Sequence, residues 1–379
     1  MNIEIRKVQF VNKGAELMLY AVLDKMKQEY PDARFVMAPG KNSSFEKRGE
    51  LQLWQKAWLW KYRIQFGDLA RFIPKMVREQ YGIILDREID VVLDAAGFAY
   101  SDQFSGKSCS ELARSSKRWQ KNKTKIILLP QALGPFESKK NKKDVKTIAN
   151  NVDLIFPREK ESYEYLVKYV GERQNIEIAP DFTNLIKGEI PDYFQQKNNA
   201  ICIIPNYKMI DKISQRTQEE YIPFLKKCIK FLLNHNQKPF ILVHEGKNDH
   251  WIAKEITKDE NSKVPIFTED NPLKVKGIIG ASKATISSRF HGLVSSLSQG
   301  VPAIGTGWSH KYEMLFEDYH FPEGIIDISS KDEIITEKLN MIIDPDSNQK
   351  ISSVINDRAE KLKLSSEQMW EKVFKLLKE

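Results

Sequence analysis

ASKATISSRFHGLVSSLSQGVPAIGTGWSHKYEMLFEDY, residues 281–319, decides how this chain reads. It holds two strand–helix units in succession. Residues 284–287 form a short β-branched run that closes on a serine pair. Across 289–299, Phe290, Leu293, Val294 and Leu297 recur at helical spacing. Ser287 or Ser288 is the expected N-cap, and Gly300 the expected stop. Residues 301–305 give a second strand around Pro302, and a glycine-bearing loop leads into another helix from His310 or Lys311.

In a parallel sheet both helices start at the carboxyl edge of their strands. The free N–H groups and the positive dipole end there favour an anion. Arg289, His291, His310 and Lys311 add positive charge at the same two starts, where cations oppose the dipole. The pattern predicts a site for a ligand with more than one anionic group.

At 379 residues the chain is expected to form two domains. No apolar run reaches membrane-span length, and the N-terminus carries no signal-peptide pattern, so a cytoplasmic chain is expected. Cys109, Cys202 and Cys228 are widely spaced, which suits reduced thiols and matches no zinc pattern. A net charge of +8 admits anionic partners. No nucleic-acid module is recognisable, so nucleic acid is not an expected partner. The basic runs 117–125 and 139–146 read as solvated surface.

Residues 3–11 read as the first strand, followed by an Asn12–Glu16 turn and an amphipathic helix over 17–29. Strands are expected at 34–38 and then at 90–93, 125–129, 154–156 and 176–179, the last four each leading into Gly, Pro or a charged residue. Trp54, Trp58 and Trp60 lie among Lys56, Lys61, Arg63, Arg71, Lys75 and Arg78, and 51–81 reads as one or two amphipathic helices. Such a segment suits either a cover on the sheet or contact with the inner face of an anionic cell membrane. Residues 187–199 read as the interdomain linker. A second strand–helix series then runs from 200, with a last strand at 325–327 and terminal helices at 331–343 and 351–378. The expected domains are 1–190 and 198–345, with the helix 351–379 a candidate to return to the first. Two Rossmann-like, doubly wound α/β domains facing a cleft is the layout of the glycosyltransferase-B fold.

SSRFHGLVSSLSQGVPAIGTGWSHK resembles the signature of the polysaccharide pyruvyl transferase family: Arg, an apolar residue, His, a small-residue helix, Gly-Val-Pro and a downstream lysine. Shorter pieces match in order. They are Asn12–Glu16, Gly134-Pro135-Phe136, Arg158-Glu159 with Ser162, Pro180-Asp181-Phe182, and His244 with Asp249. Ala15, Ala95-Ala96-Gly97 and Phe156-Pro157 depart from the family's usual residues, all on the N-terminal side.

The resemblance implies transfer of the pyruvyl group of phosphoenolpyruvate, as co-substrate, to two hydroxyls of a sugar. The acceptor would belong to a bacterial-type polysaccharide or its lipid-linked precursor, and a ketal would form as phosphate leaves. By the same resemblance the second domain is the donor side and the first the acceptor side. Arg289, Arg158, Lys311 and His310 are assigned to the donor's anionic groups, and His291 to the acid or to the phosphate. Asn12, Glu16, Asp181, His244 and Asp249 are candidates for the acceptor or the base. No metal or cofactor is expected, and Asp344-Pro345-Asp346 reads as a turn. Two other readings stand beside this one: a sugar-nucleotide-dependent glycosyltransferase of the same fold, and a non-catalytic assembly factor that binds anionic glycans or membrane.

Overall fold

Runs such as Ile201–Ile204 and Val91–Asp94 are buried along their whole length, a pattern that suits strands covered by helices on both faces. The computed structural model of the chain describes residues 1–379 other than 62–63, 105, 199, 212–214, 259–262 and 308. The chain divides into two units. The first comprises Met1–Val11, Met18–Phe182 and Ser366–Glu379; the second comprises Asn12–Leu17 and Thr183–Ser365.

The first unit's elements are β1 (Asn2–Arg6), α1 (Lys13–Glu29, whose first turn groups with the second unit), β2 (Arg34–Met37), α2 (Phe45–Glu50), β3 (Trp54–Lys56), β4 (Trp60–Lys61), β5 (Ile64–Gln65), α3 (Lys75–Gln80), β6 (Ile83–Ile84), β7 (Val91–Asp94), β8 (Phe98–Tyr100), α4 (Lys107–Lys121), β9 (Lys125–Leu133), α5 (Lys139–Asn151), β10 (Leu154–Pro157) and α6 (Lys160–Val170). The main sheet is parallel in the order β10-β9-β7-β1-β2-β3-β6, with β8 beside β9. Winding runs outward from β1 to β6, then restarts at β7 on the other side of β1. The switch point therefore lies between β1 and β7, where Arg6 and Asp94 are register partners.

The second unit holds β11 (Ile201–Ile204), α7 (Lys208–Asp211), α8 (Gln215–Asn234), β12 (Pro239–Val243), α9 (Gly246–Ile256), β13 (Ile266–Thr268), α10 (Pro272–Gly280), β14 (Ala284–Ser287), α11 (Phe290–Leu297), β15 (Ala303–Gly305), α12 (His310–Asp318), α13 (Asp332–Ile343) and the greater part of α14 (Pro345–Lys378). Its parallel sheet runs β13-β12-β11-β14-β15, so its switch point lies between β11 and β14. Ile203, Ile241 and Ile286 of the sheet pack with Leu225, Ile229 and Ile252 of the covering helices.

Four expectations are corrected. The segment 51–81 is not an amphipathic helix: it forms three short strands, a 3-10 turn (Gly67–Phe72) and the short helix α3. Trp54 and Lys56 sit two apart in β3, where strand spacing prevails over the helical one; Trp58 falls between strands, and Trp60 lies in β4, which pairs with β5. Lys56 is buried, bridging Glu4 at 2.5 Å and Asp86 at 2.6 Å, and Arg78 is buried in a pair with Glu88. Arg63 lies outside the described residues. Residues 187–199 are not a free linker, because the Glu189 N–H donates to the Leu273 carbonyl and Phe194 is buried against Phe240. The strands expected at 176–179 and 325–327 reduce to single bridges, Ile155 to Ile176 and Gly305 to Ile325. Neither Ser287 nor Ser288 is the N-cap of α11, a position that Arg289 occupies.

The chain's last residues group with the first unit. Trp370 is buried edge-on to Phe182, and Lys25 pairs with Glu367 at 2.6 Å. Only the end of the expected terminal helix, from Ser366, groups this way.

Candidate functional site

At the second unit's switch point, β14 ends in Ser287 and the chain turns through Ser288 into Arg289. The Ser287 hydroxyl accepts from the Arg289 N–H at 3.0 Å, which fixes the turn. Ser288 is held by a buried polar set. Its hydroxyl accepts from Tyr221 at 2.8 Å and meets Thr306 at 2.9 Å, while its carbonyl accepts from Asn206 at 2.8 Å and from Tyr312 at 3.1 Å. These bonds tie the starts of α11 and α12 to β11 and α8. The Lys311 ammonium lies 5.2 Å from the Phe290 ring centroid and 5.3 Å from that of Tyr312. The two helix starts expected to share an anion are therefore neighbours.

Arg289 is buried, and two carboxylates hold it. It donates to both oxygens of Asp249, at 2.7 and 2.5 Å, and to Glu245. Burial pulls its pKa down, but the Asp249 and Glu245 charges more than offset that and raise it. Asp249 shows the opposite balance: burial raises its pKa, and Arg289 restrains the rise. Arg289 Nε has no hydrogen-bond partner among the described residues, although it is buried.

The Asn12–Leu17 turn closes this site within the same unit. Asn12 Oδ1 accepts from the Gly14 and Ala15 N–H groups at 3.0 and 3.2 Å, the geometry of a helix cap, and its amide donates to Glu245 at 3.0 Å. Gly14 lies against His291, where a Cβ would fall 2.4 Å from Nδ1. Lys13 pairs with buried Glu16 at 2.7 Å and also donates to the Asp270 carbonyl. His244 is buried beside these groups. Burial first, then the charges of Arg289, His291 and Lys13, push its pKa well below 6.5, so it stays neutral. Its Nδ1 is buried with no partner among the described residues.

Arg158 and Asp181 belong to the first unit and pair with each other at 3.1 Å, both buried. The neighbouring Glu159 and Ser162 have a structural account. Glu159 caps α6 through the Ser162 N–H, and the Ser162 hydroxyl accepts from the Leu133 N–H at 2.7 Å beside the Gly134-Pro135 turn.

Sequence reading missed Glu245 as a partner of Arg289, and Asn206, Tyr221 and Thr306 as the groups that hold Ser288. Position at strand ends was the available signal: Asn206 follows β11 and Glu245 follows β12.

The pattern of the polysaccharide pyruvyl transferase family matches residues 12–310 of this chain, from Asn12 of the closing turn to His310 at the start of α12. This chain belongs to the polysaccharide pyruvyl transferase family. The chain is also similar to the amylovoran biosynthesis protein AmsJ of Erwinia amylovora, 20% identical over 284 residues, in an alignment that covers 68% of this chain and 66% of that protein, just under two thirds of its length. Among solved structures, the UDP-GlcNAc 2-epimerase of Neisseria meningitidis bound to UDP-GlcNAc aligns over 99% of this chain and 100% of its own at TM-score 0.62 and 12% identity. Anabaena HepE in complex with UDP and glucose aligns over 98% of each chain at TM-score 0.59 and 12% identity. At such identities the likeness is one of fold, and the fold of this pyruvyl transferase family member is glycosyltransferase-B-like, with parallel sheets in two α/β domains.

Proposed function

We propose that this chain transfers the pyruvyl group of phosphoenolpyruvate to two hydroxyls of a saccharide in polysaccharide assembly, forming a ketal and releasing phosphate. The observation that carries the proposal is the meeting of Arg289, His291, His310 and Lys311 at two neighbouring helix starts, closed by the Gly14 turn. Phosphoenolpyruvate presents a phosphate and a carboxylate on a small frame, which suits paired helix N-termini flanked by cations. Arg289, already neutralised by Asp249 and Glu245, acts as an oriented donor through Nε. Lys311 and His310 meet the ligand's charge.

His291 is the acid. Its Nδ1 edge faces Gly14, so the proton passes through Nε2 across the ring. Protonation of the methylene carbon makes C2 electrophilic, and one sugar hydroxyl adds there. The C2–O bond to phosphate breaks, the phosphate leaves, and the second hydroxyl closes the ring. One hydroxyl proton replaces the proton given to the methyl group, and the other leaves with phosphate.

Thermal melting with separate ligands tests the donor. Phosphoenolpyruvate should raise the melting temperature, and Arg289→Lys should abolish the rise. A rise with UDP-GlcNAc or UDP-glucose, and none with phosphoenolpyruvate, would replace this reading with sugar-nucleotide chemistry.

A second element of the proposal is contact with an anionic bilayer. It is supported by Leu69, Phe72, Ile73 and Met76, which are exposed at 59, 72, 41 and 79%, with exposed Arg71 and Lys75 between them. Large apolar side chains concentrated in so short a segment mark an interaction surface, and the interleaved cations suit anionic headgroups.

A further inference from the structure

A cavity of about 280 Å³ opens in the first unit, small among ligand pockets. Arg6, Lys7, Glu111, Glu4 and Trp58 line it, together with apolar groups of β1 and β2. It lies at the carboxyl end of β1, beside the β1–β7 switch point, where open parallel sheets take their ligands. We propose that it binds one neutral sugar ring.

The charge on its walls points to that class. On these walls Arg6 pairs with Glu111 and Asp94, Lys7 lies near Glu111, and Glu4 is paired with Lys56, so each charge is met by an opposite one and no excess is left to attract an anion. The walls offer both donors and ionised acceptors, the mixture that hydroxyl groups require. Burial works against ionisation of Glu111, yet Arg6 and Lys7 hold its pKa down at about 2. Its carboxylate takes the Arg6 guanidinium at 2.6 Å and lies 3.5 Å from the Lys7 ammonium.

Trp58 supplies the apolar face. Its indole is half-buried, with the Lys56 ammonium 5.0 Å from the ring centroid. The axial C–H bonds of a pyranose meet the negative face of such a ring. Two further features suit a ligand site. Lys7 holds a φ of +61°, a conformation that lysine rarely adopts, and strain of this kind collects at binding sites. Behind Arg6, which lies 3.2 Å from Asp94, Asp94 Oδ1 is buried with no partner among the described residues.

The inference rests on the pyruvyl-transfer reading only where it names the bound sugar as the acceptor. Saturation-transfer NMR with methyl β-galactoside, methyl β-glucoside and methyl α-mannoside, each without phosphoenolpyruvate, tests the binding itself. Saturation should reach the ring C–H protons of at least one glycoside and fall at least tenfold in Trp58→Ala and in Glu111→Gln. Trp58→Phe should retain part of it. Lys7→Gly fits the backbone at that position and should weaken binding without unfolding the chain, so it decides the matter if Trp58→Ala does not fold. No transfer to any glycoside, or transfer unchanged in these variants, overturns the inference. A glycoside that binds at Trp58 but never supports phosphate release leaves the sugar site standing and removes the pyruvyl-transfer reading. Phosphate release that is indifferent to Trp58→Ala does the reverse.

Discussion

Gly14 and His291 are in direct contact: a side-chain carbon on Gly14 would stand 2.4 Å from His291 Nδ1 and 2.7 Å from its Cβ. Glycine is needed here for close approach, since its φ is not among the positive values. Gly14→Ala must therefore push the imidazole aside. A displacement near 1 Å can cost about 10²-fold in rate, and phosphate release from phosphoenolpyruvate should fall by about that factor. Gly14 lies in α1, where alanine is the better helix former. The overlap also reaches His291 Cβ, which turning the ring does not move, so overpacking of about 1–3 kcal/mol outweighs the propensity gain and the melting temperature should fall modestly. Turnover lost only in proportion to the unfolded fraction at the assay temperature would mean a folding defect instead.

Arg289 and Asp249 form a pair in which the carboxylate is fully buried. Removing one partner leaves a buried charge with less compensation, typically at about 3–5 kcal/mol. Asp249→Ala should lower unfolding stability in urea by an amount in that range. Glu245 is a quarter exposed, so Glu245→Gln should cost far less. It should tighten phosphoenolpyruvate binding, because Arg289 then faces one carboxylate instead of two. Calorimetric titration checks this, and weaker binding in Glu245→Gln would assign Glu245 to the ligand's own support.

The sequence made the second unit legible because its local rules agree. Across 281–319, β-branched strands, helical periodicity and Gly300 at φ +74° all indicate one arrangement, and α10 and β14 fall where spacing put them. Residues 51–81 were misread because tryptophans and cations fit a helical face and a strand alternation alike. What separates the two is tertiary: Lys56 is buried between Glu4 and Asp86, far apart in sequence. The same limit applies to the site. Arg289 and His291 could be named from their place before a helix. That Asp249 and Glu245 would grip one, and Gly14 touch the other, depends on long-range closure that no local pattern encodes.

His244 gives the stability of the fold a pH dependence. Buried and beside cations, it has a folded-state pKa well below 6.5, so only the unfolded chain takes up a proton as pH falls through that value. Its contribution is fully present above about pH 6.5 and is lost progressively below it, by up to about 1.4 kcal/mol per pH unit until the folded-state pKa is reached. His244→Gln should flatten that part of the acid limb. Urea unfolding of both proteins at about pH 7.5 and about pH 5.5 measures the difference of differences. An equal acid loss in the two proteins would mean that His244 is already protonated in the folded state.

Phe72 and Met76 are the most exposed of the apolar side chains between Leu69 and Met76. Fully burying a side chain of this kind is worth about 1.5–3 kcal/mol, and insertion among headgroups buries only part of it. Phe72→Ser with Met76→Ser should therefore reduce co-sedimentation with phosphatidylglycerol vesicles by about tenfold or more, with little change in the melting temperature. Arg71→Gln with Lys75→Gln should act differently, removing the preference for anionic over phosphatidylcholine vesicles and the sensitivity to salt. Because α3 and the turn before it are not one continuous amphipathic helix, binding should bring no gain in helical circular dichroism. A helical gain on vesicles would point to refolding of this segment at the bilayer, and unchanged sedimentation of both double variants would remove the surface from consideration.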